Sequence, residues 1–146
     1  MTATAPPDTA ALAARLRLGV TRLARRLRQE AEAGITLSML SALSSAERQG
    51  PLTMRDLCAA EQVQPPTMTR IVAALVQAGL VAREPDPDDG RVAWVRVTPE
   101  GRRLLERSRR RKEAYLAMAL GSLEPRELDT LADAAAILER LTEAPS

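Results

Sequence analysis

The sequence predicts a mainly α-helical fold carrying one small β-hairpin, and three observations carry that prediction. Apolar residues recur at three- and four-residue spacing over most of the chain, the repeat of a helix with one buried stripe. The core has to be built without phenylalanine and with a single tryptophan and a single tyrosine; such a composition suits packed helices better than a sandwich or barrel, whose strands favour aromatics. β-Type runs are confined to Leu80-Val-Ala-Arg83 and Arg91-Val-Ala-Trp-Val-Arg-Val97, on either side of a segment rich in Asp and Pro. With 146 residues and no low-complexity break in the middle, one domain with helical extensions is expected.

Taken in order, residues 1–8 include Pro6 and Pro7 and read as a frayed arm. From Asp8 or Thr9, the spacing of Leu12, Leu16, Val20, Leu23 and Leu27 predicts a helix of about 20 residues that ends before Gly34. A second helix is expected over Thr36 to Glu47, with Leu37, Leu40 and Leu43 along one side. Gly50-Pro51 then breaks the pattern, and Thr53-Met-Arg-Asp56 has the form of a capping box at the start of a short helix reaching Ala60. After the turn Glu61-Gln-Val-Gln64, Pro65 and Pro66 fit only a first helical turn, where a missing N–H costs nothing.

The helix that begins there places Met68, Ile71, Val72 and Leu75 on one face and stops at Gly79, suited to a left-handed C-cap. Pro66, Thr67, Thr69, Arg70, Ala73 and Gln77 lie on the opposite face, and no carboxylate occurs in the helix. A solvent-facing helix ordinarily carries several Glu and Lys, so this face reads as kept non-negative for approach to a polyanion. The hairpin follows. Thr98-Pro99-Glu-Gly101 then starts a helix running to about Leu120, and a last helix begins between Ser122 and Pro125. Its Leu128, Leu131, Ala135 and Leu138 form a seam suited to a partner helix.

A short helix, a tight turn, a second helix opening with small polar residues and then a hairpin is the order of a winged helix-turn-helix, whose second helix can enter a major groove. The competing interpretation is a helical hairpin packed on a small sheet with no nucleic-acid role. Charge distribution bears on the choice more than net charge, which is only +2. Arg15, Arg17, Arg22, Arg25, Arg26 and Arg28 cluster near the start, and residues 102–112 hold seven cations; either set also suits a solvated helix face. Two residues apart, Asp89 and Arg91 share a strand face, so the carboxylate can hold the guanidinium in one orientation or form an incidental ion pair. Asp86 and Asp88 read as turn formers beside Pro85 and Pro87. Cys58 reads as a small buried hydrophobe, and Trp94 as exposed on the hairpin or covering a neighbouring helix.

The segment from Leu52 to Glu106 resembles the MarR family of bacterial winged-helix transcriptional regulators. The resemblance rests on Gly79-Leu80-Val81 after the second helix, on Asp-Pro-x-Asp-x-Arg at Asp86 to Arg91, and on Val97-Thr98-Pro99-Glu100-Gly101 before the next helix. It implies an obligate homodimer built from the terminal helices, here residues 9–35 and 99–146, around a DNA-binding lobe at 36–98. Leu12, Leu16, Leu23, Leu131 and Leu138 are the expected dimer residues. Recognition-helix contacts would fall on Pro66, Thr67, Thr69 and Arg70, with Gln64 and Pro65 facing a phosphate at the helix N-terminus. Arg91 would enter a minor groove, held by Asp89. Gly90 stands where the family often has a second Arg.

The resemblance further implies a cytoplasmic regulator, most often a repressor, with double-stranded DNA as partner. It also implies, as in many members, a small hydrophobic or phenolic effector lodged between the dimer helices and the DNA-binding lobe, with a regulator that needs no ligand equally open. The lining would come from the first, second and fifth helices, and the absence of Phe and His points to an aliphatic pocket. No cofactor is expected. With no His, one Cys and no phosphate-loop or nucleophile-elbow pattern, catalysis and soft-metal binding find no support. No apolar run approaches the ~20 residues of a membrane span. Two further readings stay open: a winged helix used only for protein contacts, and a protein that sequesters a hydrophobic compound.

Overall fold

The computed structural model describes residues 7–31 and 34–143, so only Pro7 and Asp8 of the expected N-terminal arm fall within it. The chain order is α1 (Thr9–Gln29), α2 (Leu37–Gln49), β1 (Leu52–Thr53), α3 (Met54–Glu61), α4 (Pro65–Gln77), β2 (Val81–Pro85), β3 (Ala93–Val97), α5 (Pro99–Leu120) and α6 (Pro125–Glu143). The fold is mainly α with one small antiparallel sheet, as the sequence predicts. The chain divides into two compact units after Lys112.

In the first unit the helices start where their caps dictate. Asp8 accepts from the Ala10 N–H at 3.0 Å, Thr36 Oγ1 from Met39 at 3.2 Å and Thr53 Oγ1 from Asp56 at 3.1 Å. Each bond satisfies a donor that the first helical turn leaves free. Between α3 and α4 the chain reverses through left-handed Gln62, φ 52°, whose N–H reaches back to the Ala59 carbonyl. Proline then opens α4, as its fixed φ and missing donor predict.

The core lies between these helices and the sheet. Leu43 of α2, Leu57 of α3, Met68, Val72 and Leu75 of α4 and Val95 of β3 are its largest fully buried side chains, and α5 adds Leu104 and Leu105 from beyond residue 98. Truncating any of these leucines to alanine should cost about 2–5 kcal/mol. Of Leu37, Leu40 and Leu43 along one side of α2, the last two are buried and Leu37 is exposed, while Ser45 on that helix is buried. Glu61 explains the buried serine. Its carboxylate accepts from Ser41 Oγ at 2.6 Å and from Ser45 Oγ at 2.5 Å, tying the end of α3 to the middle of α2.

The sheet has three strands in the order β1-β3-β2, one more than the hairpin predicted from sequence. The added strand is two residues long, Leu52 pairing with Val95 and Thr53 with Trp94. On the other side of β3, Val81 pairs with Val97 and Arg83 with Val95. The junction of hairpin and α5 is built by close approach. Thr98 donates its hydroxyl to the Gly79 carbonyl at 2.7 Å and accepts from the Gly101 N–H at 3.1 Å. A Cβ on Gly101 would collide with the Leu80 carbonyl oxygen and lie 2.8 Å from Val97 Cγ1. The two glycine-containing motifs, well separated in sequence, are thus two halves of one contact; Gly79 supplies the left-handed turn, φ 72°.

α1 contributes no buried residue, and Leu12, Leu16 and Leu23 stay 40–47% exposed. In the second unit, α6 begins with the Glu124 N–H donating to Glu127 Oε2 at 2.9 Å. It too buries nothing, leaving Leu131 at 45% and Leu138 at 39% exposed.

Candidate nucleic-acid interface

Helix α4 sorts its side chains as the 3.6-residue repeat requires. Met68, Val72 and Leu75 are buried, Ile71 is half-buried against them, and Pro66, Thr69, Arg70, Ala73 and Gln77 are exposed. Thr67 is half-buried. Gln64 is the N-cap residue but makes no side-chain cap, and the prolines that follow have no N–H to offer. The polarised end of α4 is therefore poorer in donors than an ordinary helix start. Thr69 Oγ1 donates to the Pro65 carbonyl at 2.9 Å, which parks its hydroxyl against the helix. Arg70 forms no ion pair among the described residues, and no carboxylate interrupts its face.

The hairpin tip is knit by aspartates. Asp86 Oδ1 accepts from the backbone N–H groups of Asp88 and Asp89, at 2.9 and 3.1 Å, and its Oδ2 from Trp94 Nε1 at 2.8 Å. These three donors, the indole foremost, hold the Asp86 carboxyl below the ordinary aspartate range. Asp89 Oδ1 accepts from both the backbone N–H and the Nε of Arg91, and Oδ2 from its Nη2 at 3.3 Å. The guanidinium first, and the amide second, lower the Asp89 pKa.

Spacing alone predicts that Asp89 and Arg91 share one face of a strand. The structure corrects the geometry: β3 begins at Ala93, and the pair is brought together by a turn in which Asp89 caps the Arg91 backbone. The fork-to-carboxylate contact survives because the turn, rather than the pleat, aligns it. Arg91 remains 91% exposed beyond its partner. Gly90 has no atom within 4 Å of where its Cβ would be, so nothing in the tip demands glycine there. Trp94 is half-buried, its indole N–H donated to Asp86.

A cleft of about 530 Å³ separates the start of α3 and α4 from the hairpin. Thr53, Arg55, Pro65, Thr69, Arg83 and Arg91 line it, over an apolar floor that includes Met54, half-buried Cys58 and Ala93. Neither Arg55 nor Arg83 stands out in the sequence as a site residue. One signal is present there for Arg83: two residues from Val81, it shares that residue's strand face, and the structure pairs it with Val95. Among the described residues no helix is long and apolar enough to cross a membrane, and no group of three metal-ligating side chains occurs.

Known proteins share this arrangement. The MarR family profile matches residues 35–93. An uncharacterised HTH-type transcriptional regulator of Mycobacterium leprae is 41% identical over 138 residues, spanning 93% of this chain and 96% of that protein. The crystal structure of a transcriptional regulator from Pseudomonas aeruginosa covers 95% of this chain and all of its own, with a TM-score of 0.83 and 34% identity. A MarR family protein from Bacillus stearothermophilus has a TM-score of 0.75 at 26% identity, over 92% of this chain and 95% of its own. On these matches the chain belongs to the MarR family of DNA-binding, winged helix-turn-helix transcriptional regulators.

Proposed function

We propose that the protein is a homodimeric, sequence-specific repressor of the cytoplasm. In this reading two copies of α4 lie in successive major grooves of a pseudo-palindromic operator, about 34–36 Å apart, with the hairpins in the flanking minor grooves. The observation that carries it is the exposed face of α4: Pro66, Thr69, Arg70, Ala73 and Gln77, small or hydrogen-bonding side chains around one Arg that forms no ion pair among the described residues, with no acid in the helix. Pro66, Thr67, Thr69 and Arg70 make the recognition-helix contacts, Gln64 and Pro65 face a phosphate at the start of α4, and Arg91, oriented by Asp89, enters the minor groove. Repression and the operator's symmetry are carried over from the family resemblance. Among proteins of the same fold, MepR of Staphylococcus aureus has been crystallised with an oligodeoxyribonucleotide.

Dimerisation is supported by apolar surface left without cover. Leu12, Leu16 and Leu23 in the first unit, and Leu131 and Leu138 in the second, sit at helical spacing on helices that bury nothing. Isolated exposed leucines are ordinary; rows of them on whole helices mark an interface. The division into dimer helices, residues 9–35 and 99–146, and a DNA-binding lobe at 36–98 belongs to the same proposal.

Effector control is supported by a second cleft, about 390 Å³, within the first unit among α1, α2 and α5. It departs from the aliphatic pocket expected from sequence: Leu37, Leu40 and Leu105 form its apolar part, but Arg28, Arg109 and Lys112 line it too. An effector with an apolar or phenolic body and an anionic group suits that lining. Ser41 lines the cleft and donates to Glu61 at the end of α3, so an occupant is one hydrogen bond from the helix-turn-helix. By linkage, such an effector weakens DNA binding by the factor with which DNA weakens effector binding. The DNA binding of BpsR from Bordetella bronchiseptica, of the same fold, is regulated by 6-hydroxynicotinic acid.

The test begins with selection of bound duplexes from a random pool, which should yield an inverted repeat. Leu131→Asp with Leu138→Asp should then give a monomer by light scattering and lose the selected duplex. A folded monomer that keeps full affinity would refute the dimer. A protein-contact module would select no duplex, and a sequestering protein would retain its activity after Arg70→Ala with Arg91→Ala.

A further inference from the structure

We propose that the cleft between α3, α4 and the hairpin seats the sugar-phosphate backbone of one DNA strand, with Arg55 and Arg83 as its phosphate-binding pair. This rests on the reading of α4 and the hairpin as the DNA-binding elements and adds two residues that neither element's motif contains.

Place points to the backbone first. A helix in a major groove about 12 Å wide and a hairpin in the adjoining minor groove, about 6 Å wide, must straddle the phosphate ridge that separates them. The space between helix and hairpin is this cleft, with Pro65 and Thr69 on one wall and Arg83 and Arg91 on the other. Arg55, in the first turn of α3, lines it as well.

Charge points the same way. Several arginines of the first unit are matched by acids: Arg96 by Glu84, Arg102 by Glu47, Arg103 by Glu100 and Arg110 by Glu106. Arg55 and Arg83 line the same cleft and take no carboxylate among the described residues. Two guanidiniums left unmatched across one concave surface leave a place for an anion that the protein does not supply. The planar fork suits a phosphate in particular.

Strand register adds a third reason. Arg83 lies opposite Val95, on the face that carries buried Val81 and Val95, yet it is exposed. Its alkyl stem can lie along the apolar floor near Ala93 while the guanidinium reaches the rim, as long basic side chains do over apolar surface. The floor then meets the sugar edges and the rim the phosphate.

Because backbone contacts carry no sequence information, the pair should act on every duplex alike. Arg55→Gln and Arg83→Gln, in the full chain, would be titrated by fluorescence anisotropy with the selected inverted repeat and with an unrelated duplex, between about 50 and 200 mM salt. Each substitution should lower affinity for both duplexes by the same factor. Each should also flatten the slope of log affinity against log salt by about 0.9 for every phosphate that is no longer neutralised, hence by roughly 1.8 for the two subunits of a dimer. Both residues are exposed, so thermal unfolding should not change, and a drop in affinity without folding loss is interpretable. An unchanged slope would overturn the assignment, as would a loss confined to one base pair of the repeat. Wild-type protein with no salt-dependent DNA affinity would instead overturn the functional reading beneath it; wild-type binding with both variants silent would remove Arg55 and Arg83 alone.

Discussion

Helix α4 and the hairpin each present an exposed arginine, and they prepare it in opposite ways. Around Arg70 the chain removes acids altogether; the helix from Pro65 to Gln77 has none, and the guanidinium takes no ion pair among the described residues. Around Arg91 the chain adds acids: Asp89 grips the guanidinium through two oxygens, and Asp86 fixes the backbone that carries Asp89. The difference teaches what each side chain needs before it meets a partner. A rigid helix already aims Arg70, so a neighbouring carboxylate would only compete for it. A loop aims nothing, so Arg91 needs a holder, even one that carries the opposite charge from the cation it presents.

The strongest way to break this comparison is to delete both arginines and ask what kind of binding each removes. On the proposed reading, Arg70→Ala should relax preference at one base pair per half-site by about 1–3 kcal/mol. Arg91→Ala should lower affinity on all duplexes and flatten the salt dependence by roughly one charge per subunit. Measured affinities on a set of single-base operator variants separate the two patterns. If both substitutions lowered every affinity equally, α4 would be a second electrostatic element rather than a reader.

The two regions also differ in how far they are legible in the sequence, and the reason is physical. The buried face of α4 follows from helical spacing, and its ends from Pro65-Pro66 and Gly79; all of this is local, and the structure has it in the expected place. The tip of the hairpin depends on the path of a loop. Asp86 meets the indole of Trp94 eight residues on only because the chain closes between them, the Asp86 N–H donating to the Val92 carbonyl at 2.9 Å. Neither alternation nor turn propensity specifies that closure, and for the same reason spacing alone puts Asp89 and Arg91 on a pleat. Longer-range meetings are more opaque still: Glu61 with Ser41 and Ser45, and Arg55 with Arg83 across a cleft, join segments that only tertiary packing brings together. The Gly79 and Gly101 motifs are visible as motifs, but the collision that requires glycine at 101 is not.

A smaller effect sharpens the idea of a holder. Asp89 and Arg91 are exposed, so their pair adds only ~0–1 kcal/mol to fold stability. Fixing a rotamer-rich arginine in advance is worth more to binding, about 0.5–1.5 kcal/mol. Asp89→Ala should therefore weaken operator binding by about that much while leaving thermal stability nearly unchanged. This outcome is counterintuitive on charge alone, since removing an acid beside DNA ought to strengthen binding. A gain in affinity, measured at fixed salt, would show that Asp89 repels the duplex more than it orients Arg91.

The smallest expected effect concerns Asp86, whose part in the tip can be followed through pH. Its folded pKa lies below the ordinary aspartate value of about 3.9, chiefly because of the Trp94 indole and then the Asp88 and Asp89 amides. A depressed carboxylate contributes stability that is fully present above the unfolded value and is lost as pH falls through the folded one. The tip should thus stay closed through neutral and mildly acidic pH and loosen only in the strongly acidic range, where Asp89, also depressed, releases Arg91. Trp94 is the one tryptophan of the chain, so a single indole N–H resonance reports the contact. Its chemical shift should titrate with a midpoint below about 3.9, and Asp86→Ala should abolish that titration while moving the resonance toward its free position. A midpoint at or above the ordinary value would mean that the indole does not favour the charged carboxylate, and that Asp86 closes the tip through its backbone amides alone. In that event Trp94→Phe should leave Arg91-dependent binding untouched, whereas a working Asp86–Trp94 bond makes that substitution loosen the same loop that carries Asp89.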